Sequence, residues 1–355
     1  MMGAKIKSSI DLNKLVRENV KRLVPYSSAR DEFSGKGSVF LDANENPYEN
    51  GVNRYPDPMQ RTLKARLGEL KAVNPENMIL GNGSDEVIDL LFRAFCEPNI
   101  DNVIICTPTY GMYEVAAGIN AIENREVPLD KDFQPEVNAV LSIVDEKSKL
   151  LFLCSPNNPT ANLLDESKVV ELLETFSGLV IVDEAYIDFS PGKSLLGRLE
   201  SYPNLVILQT LSKAWGMAGI RLGIGLASKE IINILNRIKP PYNVNCLTQT
   251  KALELLEAVD LYEEQVKNII TEREVLITFL SDLSFVEKVY PTDANFILIL
   301  VNDARGLYDY LLTDEIIIRD RSKIQSLGNC VRISIGTREE NEILKNTLTK
   351  FELKS

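Results

Sequence analysis

Six short apolar runs punctuate the middle of the chain, at residues 78–80, 103–106, 150–154, 179–182, 205–209 and 222–227, and amphipathic stretches separate most of them. Runs of this length, rich in Val, Ile and Leu, suit strands buried in a sheet. Helix-length segments between them predict an α/β fold with a mostly parallel sheet covered by helices. Most of the runs end in loops of Gly, Pro, Asn, Ser or Asp, and in open α/β sheets ligands gather outside those carboxyl ends.

The chain changes character further on. Leu, Ile and Val at three- and four-residue spacing predict one long helix from about Thr248 to Ser281. Beyond it, residues 295–301, 315–318 and 330–335 resemble strands, and 307–312 and 339–351 resemble helices. With 355 residues, there is room for a large domain and a smaller α+β one. The expected division is an N-terminal segment, 1–50, packing with the small domain, a large ligand-binding domain, 51–285, and a small C-terminal domain, 286–355. No stretch reaches the roughly 20 apolar residues a membrane helix needs. The first 22 residues are polar, without an apolar signal core, so the expected location is the cytoplasm.

The formal net charge of −12 argues against nucleic acid or an anionic membrane as a partner, because both reward a basic face. An anionic substrate would need a local cluster of Arg or Lys. The five cysteines lack CxxC spacing and are expected to be reduced thiols. The chain contains no histidine, which excludes Ser-His-Asp and Cys-His catalysis, His-ligated zinc and an imidazole proton shuttle. No metal site is expected. Chemistry near neutral pH must rest on another group, and a lysine with a depressed pKa is the leading candidate.

Four strand-end loops carry suitable residue types. Gly81-Asn82-Gly83-Ser84-Asp85-Glu86 lies between a strand and a helical run. Its glycines and the helix start suit a phosphate, although taken alone it is equally a turn and an N-cap. Ser155-Pro156-Asn157-Asn158-Pro159-Thr160 is stiffened by two prolines and offers an Asn amide to a phenolate oxygen, or is a plain turn. Asp183 follows four apolar residues, where a buried carboxylate needs a cationic partner such as a protonated pyridine nitrogen. Lys213 lies among Ala214, Gly216, Ala218 and Gly219, with Ser212 beside it and Arg221 downstream. The small neighbours leave room for a bulky adduct. Arg221 can meet a phosphate and disfavours protonation of Lys213.

These loops, together with Val24-Pro25-Tyr26-Ser27-Ser28-Ala29-Arg30, Leu41-Asp42-Ala43-Asn44-Glu45-Asn46-Pro47, Asn53-Arg54-Tyr55-Pro56-Asp57, Pro108-Thr109-Tyr110, Ile316-Ile317-Ile318-Arg319-Asp320 and Val331-Arg332-Ile333-Ser334-Ile335-Gly336-Thr337-Arg338-Glu339-Glu340, run nearly end to end. They resemble the fold-type I, class II aminotransferases and, within them, most closely the histidinol-phosphate aminotransferase family. The resemblance implies pyridoxal 5′-phosphate as cofactor, held on Lys213 as a Schiff base. It implies transfer of an amino group from L-histidinol phosphate to 2-oxoglutarate, giving imidazole-acetol phosphate and glutamate in a ping-pong mechanism. Lys213 would also shuttle the substrate proton. Asp183 would pair with the pyridinium nitrogen, Asn158 and Tyr186 would hold the phenolate oxygen, and Tyr110 would stack on the ring. Ser84, Asp85 and Glu86 at the helix start, with Ser212 and Arg221, would hold the phosphate. Tyr55 would reach that phosphate from the partner subunit of a homodimer, and Tyr26, Asn46, Arg319 and Arg332 would face the substrate.

One position departs from the family, which usually has Gly after Asn-Pro-Thr where this chain has Ala161. If that position needs a positive φ, Ala adds strain of order 1 kcal/mol; the expectation is a slightly rebuilt loop. Rival readings are another enzyme on the same scaffold, such as an aromatic aminotransferase or an L-threonine-phosphate decarboxylase, a nucleotide-binding domain, and a non-catalytic module. The nucleotide reading lacks GxGxxG and GxxxxGK[ST]. A non-catalytic module would be expected to have lost Lys213 or Asp183, or to carry a basic extension.

Overall fold

The computed structural model describes residues 10–25 and 39–353. Seven strands form the large sheet: β1 (Met78–Asn82), β2 (Asn102–Thr107), β3 (Glu123–Pro128), β4 (Ser148–Cys154), β5 (Leu179–Asp183), β6 (Leu205–Thr210) and β7 (Leu222–Ala227), in the order β1-β7-β6-β5-β4-β2-β3. Strands β2 to β6 run parallel, whereas β7 is antiparallel to both its neighbours. The reason lies in the β6–β7 connection, residues 211–221, which has no helical crossover to carry the chain back across the sheet.

The central strands are buried on both faces. In β5, Val180 and Val182 join one apolar layer while Leu179 and Ile181 join the other. This two-sided burial explains why the runs are continuous and not alternating. Helix Ser84–Phe95 covers one face through Val87, Ile88, Leu91 and Phe95. Helices Arg61–Lys71 and Glu166–Thr175 cover the other through Leu63, Leu67, Leu172 and Leu173.

A second sheet is antiparallel: β8 (Val286–Val289), β9 (Phe296–Val301), β10 (Arg319–Asp320) and β11 (Cys330–Ser334), in the order β10-β11-β9-β8. Its apolar face packs on Leu276 and Leu280 of helix Val259–Ser281, Leu307 and Leu311 of helix Ala304–Thr313, and Leu344 and Leu348 of helix Arg338–Glu352.

Three expectations need correction. The long helix is two, Cys246–Leu255 and Val259–Ser281, and the Arg66 guanidinium donates to the Leu256 carbonyl at 3.0 Å, satisfying an acceptor the break exposes. Residues 315–318 are not a strand: Glu315 turns with φ +61°, and sheet pairing begins only at Arg319. Where the N-terminal segment is described, it packs on the large sheet's helices and not on the small domain. Leu15, Val16 and Val20 enter the layer containing Ile88 and Phe92, and Arg17 pairs with Glu97 at 3.2 Å.

Candidate active site

The carboxyl ends of β1, β4, β5 and β6 open onto one cavity, which encloses about 520 Å³, part of it open to solvent. Ser84, Asp85, Tyr110, Asn158, Asp183, Tyr186, Ser212, Lys213 and Arg221 all line it, together with Cys154, Ala185 and Thr210. Sequence reasoning therefore reached most of the lining.

At one end, Ser84 and Asp85, the first residues of their helix, line the cavity beside Arg221, where helix-start N–H groups lack intrahelical partners. The approach is close because two glycines permit it. A Cβ on Gly223 would lie 2.1 Å from the Ser84 amide nitrogen, and one on Gly83 would lie 2.7 Å from Arg221 Nη2. Arg221 itself takes a left-handed φ of +54°, and its guanidinium lies 3.6 Å from Asp85. Tyr110 donates its hydroxyl to Asp85 at 3.1 Å, which fixes the phenol ring across the cavity wall.

Asp183 forms the deep end. It is 3% exposed; one carboxylate oxygen accepts from the Tyr113 hydroxyl at 2.6 Å and the other from the Ala185 amide at 3.1 Å. Burial pushes its carboxyl up to about 6, against the anion-stabilising bonds from Tyr113 and Ala185. Tyr113 was not anticipated. It stands in the first turn of helix Met112–Ile119, and its partner is 70 residues away, so no local pattern marks it.

Lys213 lies in the β6–β7 connection with Nζ 5.5 Å from the Tyr186 ring centroid. Burial, then the charges of Arg332 and Arg221, lowers its pKa and enlarges the neutral, nucleophilic fraction. Tyr186 is held by an edge contact on Phe296, 5.0 Å between centroids.

Arg332, on β11, reaches across from the second sheet and donates through Nη1 to Asn158 Oδ1. The contact orients the amide: with its oxygen taken by a cation, Asn158 keeps its NH₂ to donate into the cavity. Arg332 also lies over the Phe296 ring, 5.0 Å from its centroid. Arg319 sits directly opposite Arg332 across the β10–β11 pair and is exposed. Neither arginine forms an ion pair with Asp320, Glu339 or any other carboxylate among the described residues.

Other expected residues lie elsewhere. Glu86 faces away from the cavity; its carboxylate accepts from the Asn82 amide and from Asn243 at 2.9 Å. Asn46 and Tyr55 belong to an exposed strap, where Asn46 accepts from the Tyr48 amide and Tyr55 stacks on Tyr242 with ring centroids 4.4 Å apart. Tyr26 lies outside the described residues. Ala161 takes φ +70° with its methyl fully buried beside Tyr186 and Phe296, so the loop keeps the left-handed turn and accepts the strain.

The comparisons with known proteins agree with this geometry. Residues 39–348 match the model of the family aminotransferase class I and II. The chain belongs to that family, in its histidinol-phosphate aminotransferase branch. A histidinol-phosphate aminotransferase of Flavobacterium johnsoniae is 56% identical over 95% of this chain and 97% of its own length. The crystal structure of the histidinol-phosphate aminotransferase from Clostridium acetobutylicum superposes with a TM-score of 0.79 at 28% identity, covering 86% of this chain and 92% of that one. The Sinorhizobium meliloti enzyme, solved in complex with pyridoxal-5′-phosphate, shares the fold with a TM-score of 0.77 at 24% identity, over 85% and 83% of the two chains. Aminotransferases of this family depend on that cofactor. Among the described residues, no helix is long and apolar enough to cross a membrane.

Proposed function

We propose that the chain transfers an amino group between L-histidinol phosphate and 2-oxoglutarate, as a step of histidine biosynthesis, with pyridoxal phosphate bound in this cavity. One observation carries the reading: a buried acid, Asp183, and a lysine of lowered pKa, Lys213, share a cavity that Arg332, with no carboxylate partner among the described residues, reaches through Asn158. Residues 51–285 would supply the cofactor site and residues 286–355 the anion-binding side.

The donor set fits pyridoxal phosphate. The glycine-permitted approach of the Ser84 amide to β7 makes an anion cradle, in which the Ser84 and Asp85 amides, Ser212 and Arg221 would hold the phosphate. Asp183 would face the pyridinium nitrogen, a cation that compensates its burial. Asn158 and Tyr186 would hold the phenolate oxygen, and Tyr110 would lie on the ring. When bound, the cofactor supplies an electron sink for the pair left at substrate Cα. Lys213 Nζ would carry the cofactor, then take the Cα proton and return it at the cofactor's C4′. No imidazole exists to share that task. Arg332 would meet the α-carboxylate of glutamate in one half-reaction and the substrate phosphate in the other, and Arg319 would serve mainly the phosphate.

The active form is proposed to be a homodimer. The strap exposes Val39, Leu41, Tyr48, Val52 and Tyr55, an apolar surface that a second copy would cover, and Tyr55 would reach the partner's phosphate site. Sedimentation at micromolar concentration should give a dimer; a monomer with full activity would remove this part of the reading.

The substrate is tested with the purified holoenzyme, glutamate as donor, and imidazole-acetol phosphate, phenylpyruvate or oxaloacetate as acceptor. The phosphorylated acceptor should give the highest kcat/KM. Preference for phenylpyruvate would move the assignment to an aromatic aminotransferase.

A further inference from the structure

We propose that Arg321 is a third cation of the substrate-anion pocket and selects a phosphate monoester over a plain carboxylate. The inference rests on the reading above, in which the small domain receives a phosphorylated substrate. Strand β10 is assigned only to Arg319 and Asp320, but the Arg321 amide donates to the Cys330 carbonyl at 2.9 Å, which extends the ladder by a residue. Strand periodicity then sets Arg321 on the same face as Arg319, with Asp320 on the opposite face. Arg332 lies directly across from Arg319, so three guanidinium groups share one patch, and Arg332 ties that patch to Asn158 at the cavity.

The surroundings of Arg321 suit an anion. Its Nε is buried without a hydrogen-bond partner, and so is the Nε of Arg332. No carboxylate among the described residues pairs with any of the three arginines. The nearest acid in sequence, Asp320, accepts from the Ser322 amide at 2.8 Å. Burial, then repulsion from Arg332 and Arg319, lowers the Arg321 guanidinium to about 10. A folded chain that gathers three cations beside a ligand cavity, two of them with buried unsatisfied donors, is built for a counter-charge.

The size of that counter-charge identifies the ligand class. A carboxylate carries one charge and two acceptor oxygens, which one arginine fork satisfies. A phosphate monoester carries about 1.5 to 2 negative charges at neutral pH and three acceptor oxygens. Arg332 alone suffices for the first. The second calls for further guanidinium groups, and of the two on β10 and its extension, Arg321 is the more enclosed. A less hydrated guanidinium binds an anion more strongly.

The test compares the wild-type holoenzyme with Arg321→Gln and Arg321→Lys in the separate half-reactions. Arg321→Gln should raise KM for histidinol phosphate about ten- to a hundred-fold, the loss expected for one charged hydrogen bond, with little change in kcat. It should move KM for glutamate far less, and Arg321→Lys should recover part of the loss. Calorimetric titration of inorganic phosphate into each protein should show the same ranking. Equal losses for both substrates with a lowered melting temperature would assign Arg321 to structure and overturn the proposal, as would an unchanged KM for histidinol phosphate. If the wild type fails to use histidinol phosphate, the functional reading fails, and the phosphate titration then decides on Arg321 alone.

Discussion

Two regions of the molecule hold charge that the chain itself leaves uncompensated, and they do so in opposite ways. Asp183 lies at the end of a central strand, paired with a strand on each side, almost wholly buried, and held by a phenol and a backbone amide. Arg319 and Arg321 lie on and just beyond a two-residue edge strand of the smaller sheet, with Arg332 on the neighbouring strand, partly open to solvent, and the Nε groups of Arg321 and Arg332 are unpaired. The first arrangement is rigid and suits a resident cofactor that stays through many turnovers. The second is an edge, where side chains adjust to ligands that come and go, including two different anions in alternate half-reactions.

The sharpest way to break this contrast is Lys213→Ala. Cofactor should remain bound through the rigid contacts, while turnover falls by about 10²–10⁴-fold or more, since no histidine can take over the proton transfer. Borohydride should no longer fix pyridoxyl to the protein. Retained labelling on another lysine would refute the role given to Lys213.

Asp183→Asn separates function from stability. Below about pH 4, the folded and unfolded chains both hold the aspartate proton. Between there and about 6 only the folded chain holds it, so the apo protein loses stability as pH rises. The loss is complete above pH 6, at about 2–3 kcal/mol. The apo variant should therefore melt above the wild type at pH 7.5, with the two converging below pH 4, although it no longer transaminates. Denaturant titrations at both pH values decide the matter, and an apo variant less stable at pH 7.5 would contradict the account.

At the arginine face, Arg319→Ala should weaken histidinol phosphate by roughly 1.5–3 kcal/mol and glutamate less, whereas Arg332→Ala should damage both half-reactions and loosen Asn158. Half-reaction kinetics read this directly; matched losses in the two variants would erase the distinction between them. The smallest effect belongs to Ala161→Gly. Relief of the left-handed strain, about 1 kcal/mol, is nearly offset by loss of a buried methyl, about 0.8 kcal/mol. The melting temperature should hardly move, and a large shift either way would show that one term was misjudged.

The same contrast governs what could be read from the sequence. The ends of β1, β4, β5 and β6 were legible because Gly, Pro and Asn interrupt continuous apolar runs, and those ends fix most of the cavity lining. Strands β3 and β8 were missed because they are edges, Glu-Asn-Arg-Glu-Val-Pro and Val-Glu-Lys-Val, with no apolar run to signal them. The break after Leu255 escaped notice because its cap, Arg66, lies 190 residues away. Glu86 was misplaced for a similar reason, since its partner Asn243 is 157 residues distant. Contacts between distant segments leave no local pattern, and the Tyr113–Asp183 bond belongs to the same class.

The Arg332–Asn158 contact joins these two regions, and it makes them thermodynamically reciprocal. An anion that drew Arg332 outward would release the Asn158 amide on the cofactor side. If the cofactor alters phosphate affinity by some factor, phosphate must alter cofactor affinity by that same factor. Titrating phosphate against apo and loaded protein, and cofactor with and without phosphate, should return one number from both directions. Arg332→Lys, which keeps the charge but not the two-pronged reach, should bring that number toward one.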